Sequence, residues 1–158
     1  MPKNLVLVAL LLLIALTTLF WATRGASSTR PNFLHSRFDI TNENGKIFSF
    51  AAEIARTPEE QAYGLMFIQS MPDDSGMIFP YSPPREISFW MKNTLIPLDM
   101  LFIRPDHTIG RIVAYAKPQD LTPIASQQSV IAVIEIKGGI AEKNGFAVGD
   151  KVSSPDIP

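Results

Sequence analysis

The chain has no cysteine. Disulfides, thiol catalysis and thiolate metal sites are therefore excluded. An oxidising compartment is not excluded, because such a compartment permits disulfides without demanding them. The sequence also lacks a basic run and a glycine-rich phosphate loop, and its only histidines are His35 and His107. Neither has another strong metal ligand near it in sequence, which disfavours a zinc site and a Ser-His-Asp triad. No cofactor and no metal are implied. Charge of one sign is missing at the start: Lys3, Arg24 and Arg30 precede residue 31 and no acid does, which leaves 11 basic against 15 acidic residues after it. That acidic excess gives no electrostatic support for a nucleic-acid partner or for binding to an anionic membrane surface.

What is present begins with a leader. Lys3 precedes 18 uncharged, mostly apolar residues, from Leu5 to Ala22. The run is longer than the usual core of a signal peptide and sits at the lower edge of a membrane-spanning helix. Cleavage after Ala26 would place Arg24 where a small residue is wanted, whereas cleavage after Ser27 places Gly25 there. Residues 1–26 are thus read as a signal peptide or an N-terminal membrane anchor, 27–36 as a tether, and 37–158 as one domain. With no cysteine to acylate, a lipoprotein anchor is excluded. The expected location is exported and extracytoplasmic or periplasmic, tethered to the inner membrane if the segment is uncleaved.

Strand signals dominate the domain. Phe38 and Ile40, then Ile47, Phe48 and Phe50, flank Asn44-Gly45, a strong hairpin signal. The second strand is expected over 46–55. Thr57, Pro58 and Glu60 spell a capping box with proline at the first helical position, so a short helix is expected over 58–63, ended by Gly64. Proline-rich text from Met71 to Pro84 reads as loop, interrupted by a short strand at 77–79. Further strands are expected at 86–92, 98–104, 109–117 and 129–137, a one-turn helix at 140–144, and an end strand after Val148-Gly149-Asp150-Lys151. The near-continuous apolar runs at 98–103 and 131–134 indicate strands covered on both faces. The expected fold is mainly β: a single-domain β-sandwich or jelly-roll-like fold, or a partly closed barrel, with one or two short helices.

The chemistry concentrates in Phe89-Trp90-Met91-Lys92-Asn93-Thr94-Leu95-Ile96-Pro97-Leu98-Asp99-Met100. Here a cation, an amide, a hydroxyl and a carboxylate stand among large apolar side chains, and such groups need partners when buried. In an extended strand, Glu86, Ser88, Trp90 and Lys92 would share one face, resembling a groove wall. One reading is a shallow ligand site with Trp90 as an apolar plate and Lys92, Asn93 and Asp99 as polar contacts, with Arg85 and Glu135 beside them. The other is structural: Asp99 pairs with Lys92 or Arg85, and Asn93 fixes a turn. Glu135 is either a second buried carboxylate at the same site or a solvated residue near a strand end. If Asp99 and Glu135 converged, they could form an acid/base pair as in glycoside cleavage. Met66, Met71, Met77, Met91 and Met100 could suit copper(I) but are spaced as core residues. Asp73-Asp74-Ser75-Gly76 lacks the alternating oxygens of a calcium loop and reads as a turn.

From about Phe50 to Val152 the chain resembles the domain of unknown function 192 family, small prokaryotic proteins that are often exported. The matching pieces are Ala55-Arg56-Thr57-Pro58-Glu59-Glu60-Gln61-Ala62-Tyr63-Gly64-Leu65-Met66, then Gly76-Met77-Ile78-Phe79. Phe89-Trp90-Met91-Lys92-Asn93-Thr94-Leu95-Ile96-Pro97-Leu98-Asp99 follows, and then Gly145-Phe146-Ala147-Val148-Gly149-Asp150-Lys151-Val152. The resemblance implies a mainly β fold of sandwich or jelly-roll type. It brings no reaction, ligand or catalytic residue with it. Many family members carry a cysteine in the loop that here lies between Lys117 and Ser129, and this chain departs from them there.

Three functional expectations remain open. The first is an exported or tethered module that binds a small polar or sugar-like ligand at Trp90, Lys92, Asn93 and Asp99. The second is an envelope or glycan hydrolase using Asp99 and Glu135. The third is a structural partner of an envelope assembly, which would show an exposed apolar patch and no pocket.

Overall fold

The computed structural model describes residues 29–158. The expectations for the leader, 1–26, and for the first tether residues, 27 and 28, lie outside the described residues. No helix among the described residues is long and apolar enough to cross a membrane.

Strand β1 (Leu34–Thr41) and strand β2 (Ile47–Ile54) form the expected antiparallel hairpin. Phe38 lies opposite Phe50, and their rings stack with centroids 4.8 Å apart. Gly45 takes φ 75°, while the Asn42 side chain accepts from the amides of Asn44 and Lys46 at 3.1 and 2.9 Å. The Asn-Gly signal is therefore part of a longer loop, organised by an asparagine side chain that mimics a turn. β1 starts at Leu34 instead of Arg37, because β2 continues far enough to pair with Leu34, His35 and Ser36. Residues 34–36 of the expected tether are thus strand.

Helix α1 (Pro58–Tyr63) has the residues and the cap that the sequence predicts. Thr57 Oγ1 accepts from the Glu60 amide at 3.1 Å, and Glu60 accepts from the Thr57 amide at 2.9 Å. Strand β3 (Ser75–Arg85) then runs parallel to β2. Two parallel neighbours cannot be joined by a tight turn. The chain between them, α1 included, crosses one face of the sheet. The expected loop to Pro84 is corrected here: the strand runs on through Pro80, Pro83 and Pro84. Its ladder with strand β8 (Val130–Lys137) is irregular between Pro80 and Arg85, where prolines cost no pairing.

Strand β4 (Ser88–Phe89) is all that forms of the expected strand at 86–92. It pairs with strand β7 (Ile124–Ala125) in a small separate sheet. After Phe89 the chain turns: Thr94 N–H donates to the Met91 carbonyl at 3.1 Å, and Asn93 sits at φ 54°. Strand β5 (Leu98–Ile103), strand β6 (Ile109–Ala116), helix α2 (Ile140–Asn144) and strand β9 (Lys151–Ser153) complete the domain near the expected positions.

The main sheet has seven strands in the order β6-β5-β8-β3-β2-β1-β9. Its two edges meet at one corner, where Thr108 bridges Lys151 and the amides of Ile109 and Val152 donate to the carbonyls of Asp150 and His107. The sheet is thus a curled, partly closed half-barrel. Every side chain of β5 is buried, as expected for a strand covered on both faces. Ile78, Leu101, Ile103, Ile134 and Ile136 fill the inner face with Phe38, Phe50 and Phe146. Met77, Phe79, Met91, Met100, Phe102 and Val133 fill the outer face, under the crossover and the 86–97 segment. Three of the five methionines singled out in the sequence are therefore core.

Candidate functional site

Alternation along the strands decides which polar groups meet. Asp99 lies opposite Ile136, and Glu135 lies opposite Met100 and Met77. Directly paired residues project to the same face. Asp99 thus points to the inner face with Leu101 and Ile103, and Glu135 points to the outer face. The acid/base pair considered from sequence is not formed: the two carboxylates lie on opposite sides of the sheet.

Asp99 is fully buried and fully used. One oxygen accepts from the Tyr115 amide at 2.8 Å, and the other accepts from the amides of Gly139 and Ala141 at 2.9 and 2.8 Å. The Tyr115 amide reaches it through an extra residue in β6: Leu98 pairs with Ala116 but Met100 with Val113, and Tyr115 takes φ 52°. The other amides are orphan donors at the start of α2, whose own N-cap, Gly139, has no side chain to supply. Asp99 therefore pairs with neither Lys92 nor Arg85, as the structural reading from sequence had it, but with backbone. It is a helix-capping strut and does not belong to the site.

Glu135 is different. It is 4% exposed, and among the described residues its carboxyl forms no hydrogen bond or ion pair; no sealed-off side-chain oxygen among them lacks a partner, so its oxygens reach the pocket. It opens onto a pocket of about 260 Å³. Three segments supply the walls: Phe79, Tyr81 and Glu135 from the sheet; Gln61, Gly64 and Met66 from the crossover; and Ile87, Ser88, Phe89, Trp90, Lys92 and Thr94 from the segment around β4. Burial pushes the Glu135 carboxyl up from 4.5 to about 8. Burial also raises the Tyr81 phenol, with Arg85 opposing and Glu135 reinforcing the effect.

The crossover is pinned over this pocket. Gln61 donates from its side-chain amide to the carbonyls of Ala55 and Pro80 at 3.2 and 3.3 Å. Gly64, at φ 49°, lies against the Phe79 ring, where an added Cβ would come within 3.3 Å of it. The Asn93 carbonyl accepts from the Phe67 amide at 2.9 Å, and the Asn93 side chain reaches Met66 Sδ at 3.6 Å. Asn93 thus fixes the turn and ties it to the crossover without lining the pocket.

Trp90 is half-exposed at the rim, with the Lys92 ammonium 5.3 Å from its ring centroid. Arg85 is exposed and lies 4.9 Å from the Tyr81 ring centroid. Of the six candidates, the structure brings Trp90, Lys92 and Glu135 into the pocket, sets Arg85 behind Tyr81, and removes Asn93 and Asp99. Sequence reasoning missed Gln61, Phe79, Tyr81 and Thr94. Tyr81 had a usable signal, since it follows Met77 and Phe79 at the strand period, but the surrounding prolines hid the strand. Asp73, at the suspected calcium sequence, is held by Lys137 and Lys143 at 2.7 and 2.8 Å. The Lys137 hydrogen bond, with Lys143 next, holds its carboxyl at about 2.

Comparison with known proteins agrees on the fold and is silent on chemistry. No curated protein matches the chain. A solved structure from Novosphingobium aromaticivorans DSM 12444, of a protein of unknown function, is 39% identical. It superposes with a TM-score of 0.73 over 83% of this chain and 98% of its own. A proposed transcription regulator from Sinorhizobium meliloti 1021 is 32% identical, with a TM-score of 0.77 over 80% of this chain and 98% of its own. Nearly all of each solved chain is matched. The family model for domain of unknown function 192, described as an uncharacterized ACR, matches residues 39–154. The order of the Trp-Met-Lys-Asn-Thr piece, the curled sheet and this match lead to one assignment: the chain belongs to the domain of unknown function 192 family.

Proposed function

We propose that the domain is a binding module for a small polar ligand, sugar-like in size, held between Glu135 and the rim formed by Trp90 and Lys92. The observation that carries this reading is the Glu135 carboxyl, buried without a partner and facing a pocket. A largely buried carboxyl with no protein partner, open only to a cavity, is a group whose hydrogen bonds a ligand can supply. Trp90 adds an apolar plate with a polar surround. At about 260 Å³ the pocket lies just below the usual range of ligand sites, which favours a monosaccharide-sized molecule. The pocket also counts against a purely structural partner role, which called for none.

The basic start and apolar run before residue 31 support export, with the domain released or tethered outside the cytoplasm. The description of the Sinorhizobium meliloti relative would suggest a nucleic-acid role. The acidic excess after residue 31 argues against it here. The test is protein-observed NMR of residues 31–158 titrated with neutral sugars, amino sugars, polyols and small amines at millimolar concentration. Saturable shifts of the Trp90 indole and of amides at Gln61, Tyr81 and Lys92, lost in Trp90→Ala, are expected. A folded protein whose pocket resonances respond to none of these probes refutes the reading.

A further inference from the structure

We propose that the pocket selects a protonated amine, its ammonium seated on Glu135 and its other polar groups toward Lys92 at the mouth. The inference rests on the binding reading above and names its ligand class.

Three observations carry it. First, Glu135 stands apart from the other buried polar side chains. Asp99 has three amide donors, Asp150 accepts from the Ala147 amide at 2.9 Å, Ser126 bonds to the backbone at Ile87 and Gln128, and Thr94 reaches the Lys92 carbonyl. Glu135 has none. A ligand that ionises this carboxyl must bring a donor, because the carboxylate then accepts only, and a charged donor makes the stronger bond.

Second, the walls beside Glu135 are aromatic. Phe79, Tyr81 and Phe89 line the same cavity, with Phe79 and Phe89 edge to face at 5.0 Å. Aromatic faces attract cations and do not hydrogen-bond anions. Two rings at this site already do so toward solvent, Tyr81 with Arg85 and Trp90 with Lys92.

Third, no protein cation occupies the carboxyl. Lys92 and Arg85 are exposed, and neither forms an ion pair among the described residues. Lys92, which lines the pocket, suits hydroxyls or an acid group on the far end of the ligand. An amino sugar or an amino acid has that arrangement.

The proton balance is simple. The neutral carboxyl of Glu135 releases its proton to solvent when the ammonium arrives, and an ion pair replaces an orphan acid. The titratable groups that line the pocket with Glu135 are Tyr81 from β3 and Lys92 from the turn, with Arg85 behind Tyr81. Gln61 from α1 and Met100 from β5 do not titrate. Burial raises the Tyr81 phenol, which stays neutral, so the released proton is assigned to Glu135.

The test is calorimetric titration of residues 31–158 with glucose, N-acetylglucosamine, glucosamine, ethanolamine and putrescine, each in two buffers of different ionisation enthalpy. Amine-bearing probes are expected to bind, to release up to one proton per site near pH 7, and to weaken about 10- to 100-fold in Glu135→Gln. A circular-dichroism melt establishes that the variant is folded. Glucose binding as well as glucosamine would overturn the amine selectivity and leave the binding module standing. Amine binding without proton release, or unchanged in Glu135→Gln, would overturn the assignment of Glu135. No binding by any probe would overturn this inference, and with silent pocket resonances in NMR the binding reading as well.

Discussion

Replacing Glu135 by Gln should flatten the pH dependence of folding stability. The Glu135 carboxyl is raised by burial from 4.5 to about 8. Between those values the folded protein binds a proton that the unfolded chain has already lost. Stability then falls as pH rises, because the unfolded state binds fewer protons than the native one. The favourable contribution is complete below about pH 4.5, declines through the interval, and is gone above about pH 8. At about 1.4 kcal/mol per pH unit, the interval corresponds to roughly 5 kcal/mol, reduced by any water that enters the pocket. The substituted amide carries no charge at any pH. The variant should match wild type within about 1 kcal/mol near pH 5 and exceed it by about 3–5 kcal/mol near pH 9. Asp73 does not confuse the comparison. Its carboxyl is lowered from 3.8 to about 2, so what it contributes is lost only as pH falls through that lower window. Urea denaturation followed by circular dichroism, at a series of pH values, measures both curves. Parallel wild-type and variant profiles would refute the claim that Glu135 is a buried, unpartnered acid.

Two further perturbations test the frame around the site. Asp99→Ala removes the acceptor for three amides, those of Tyr115, Gly139 and Ala141. It should cost about 3–5 kcal/mol in urea midpoint experiments, while amide exchange at 139–141 accelerates. Gly76→Ala places a Cβ within 2.7 Å of the Glu135 carbonyl oxygen, 3.1 Å of Ile136 and 3.2 Å of Phe38. All three neighbours are in the sheet or its core, so the variant should lose about 1–3 kcal/mol in the same assay, and an unchanged midpoint would show that β3 and β8 are less closely seated.

Local signals served the sequence reading well where one stretch of chain decides the outcome. The capping box at Thr57 and Glu60 placed α1 to the residue. Glycines bracketing 140–144 did the same for α2. The mainly β class and the doubly covered strands followed from apolar runs at 98–103 and 131–134. The misses share a cause. Whether a proline-rich segment is strand depends on a partner ladder elsewhere, so β3 was cut short at Phe79. Which way Asp99 and Glu135 point depends on the register of β5 against β8, a pairing of residues far apart in sequence. A carboxylate beside Lys92 in the chain looked like its ion-pair partner, whereas a bulge in β6 and the start of α2 had already claimed it. Trp90 and Lys92 were singled out as wall candidates and both line the pocket, although the strand expected to carry them ends at Phe89. Glu135 could be suspected but not placed.

The one parallel pairing in the sheet, β2 with β3, gives the domain an exchangeable part. That pairing makes the chain leave the sheet and return across one face, and the excursion supplies Gln61, Gly64 and Met66 to the pocket wall. The half-barrel beneath keeps its own inner core whatever that excursion contains. In the proposed binding module, changes in residues 55–74 would reshape one wall of the pocket while the inner core stays in place.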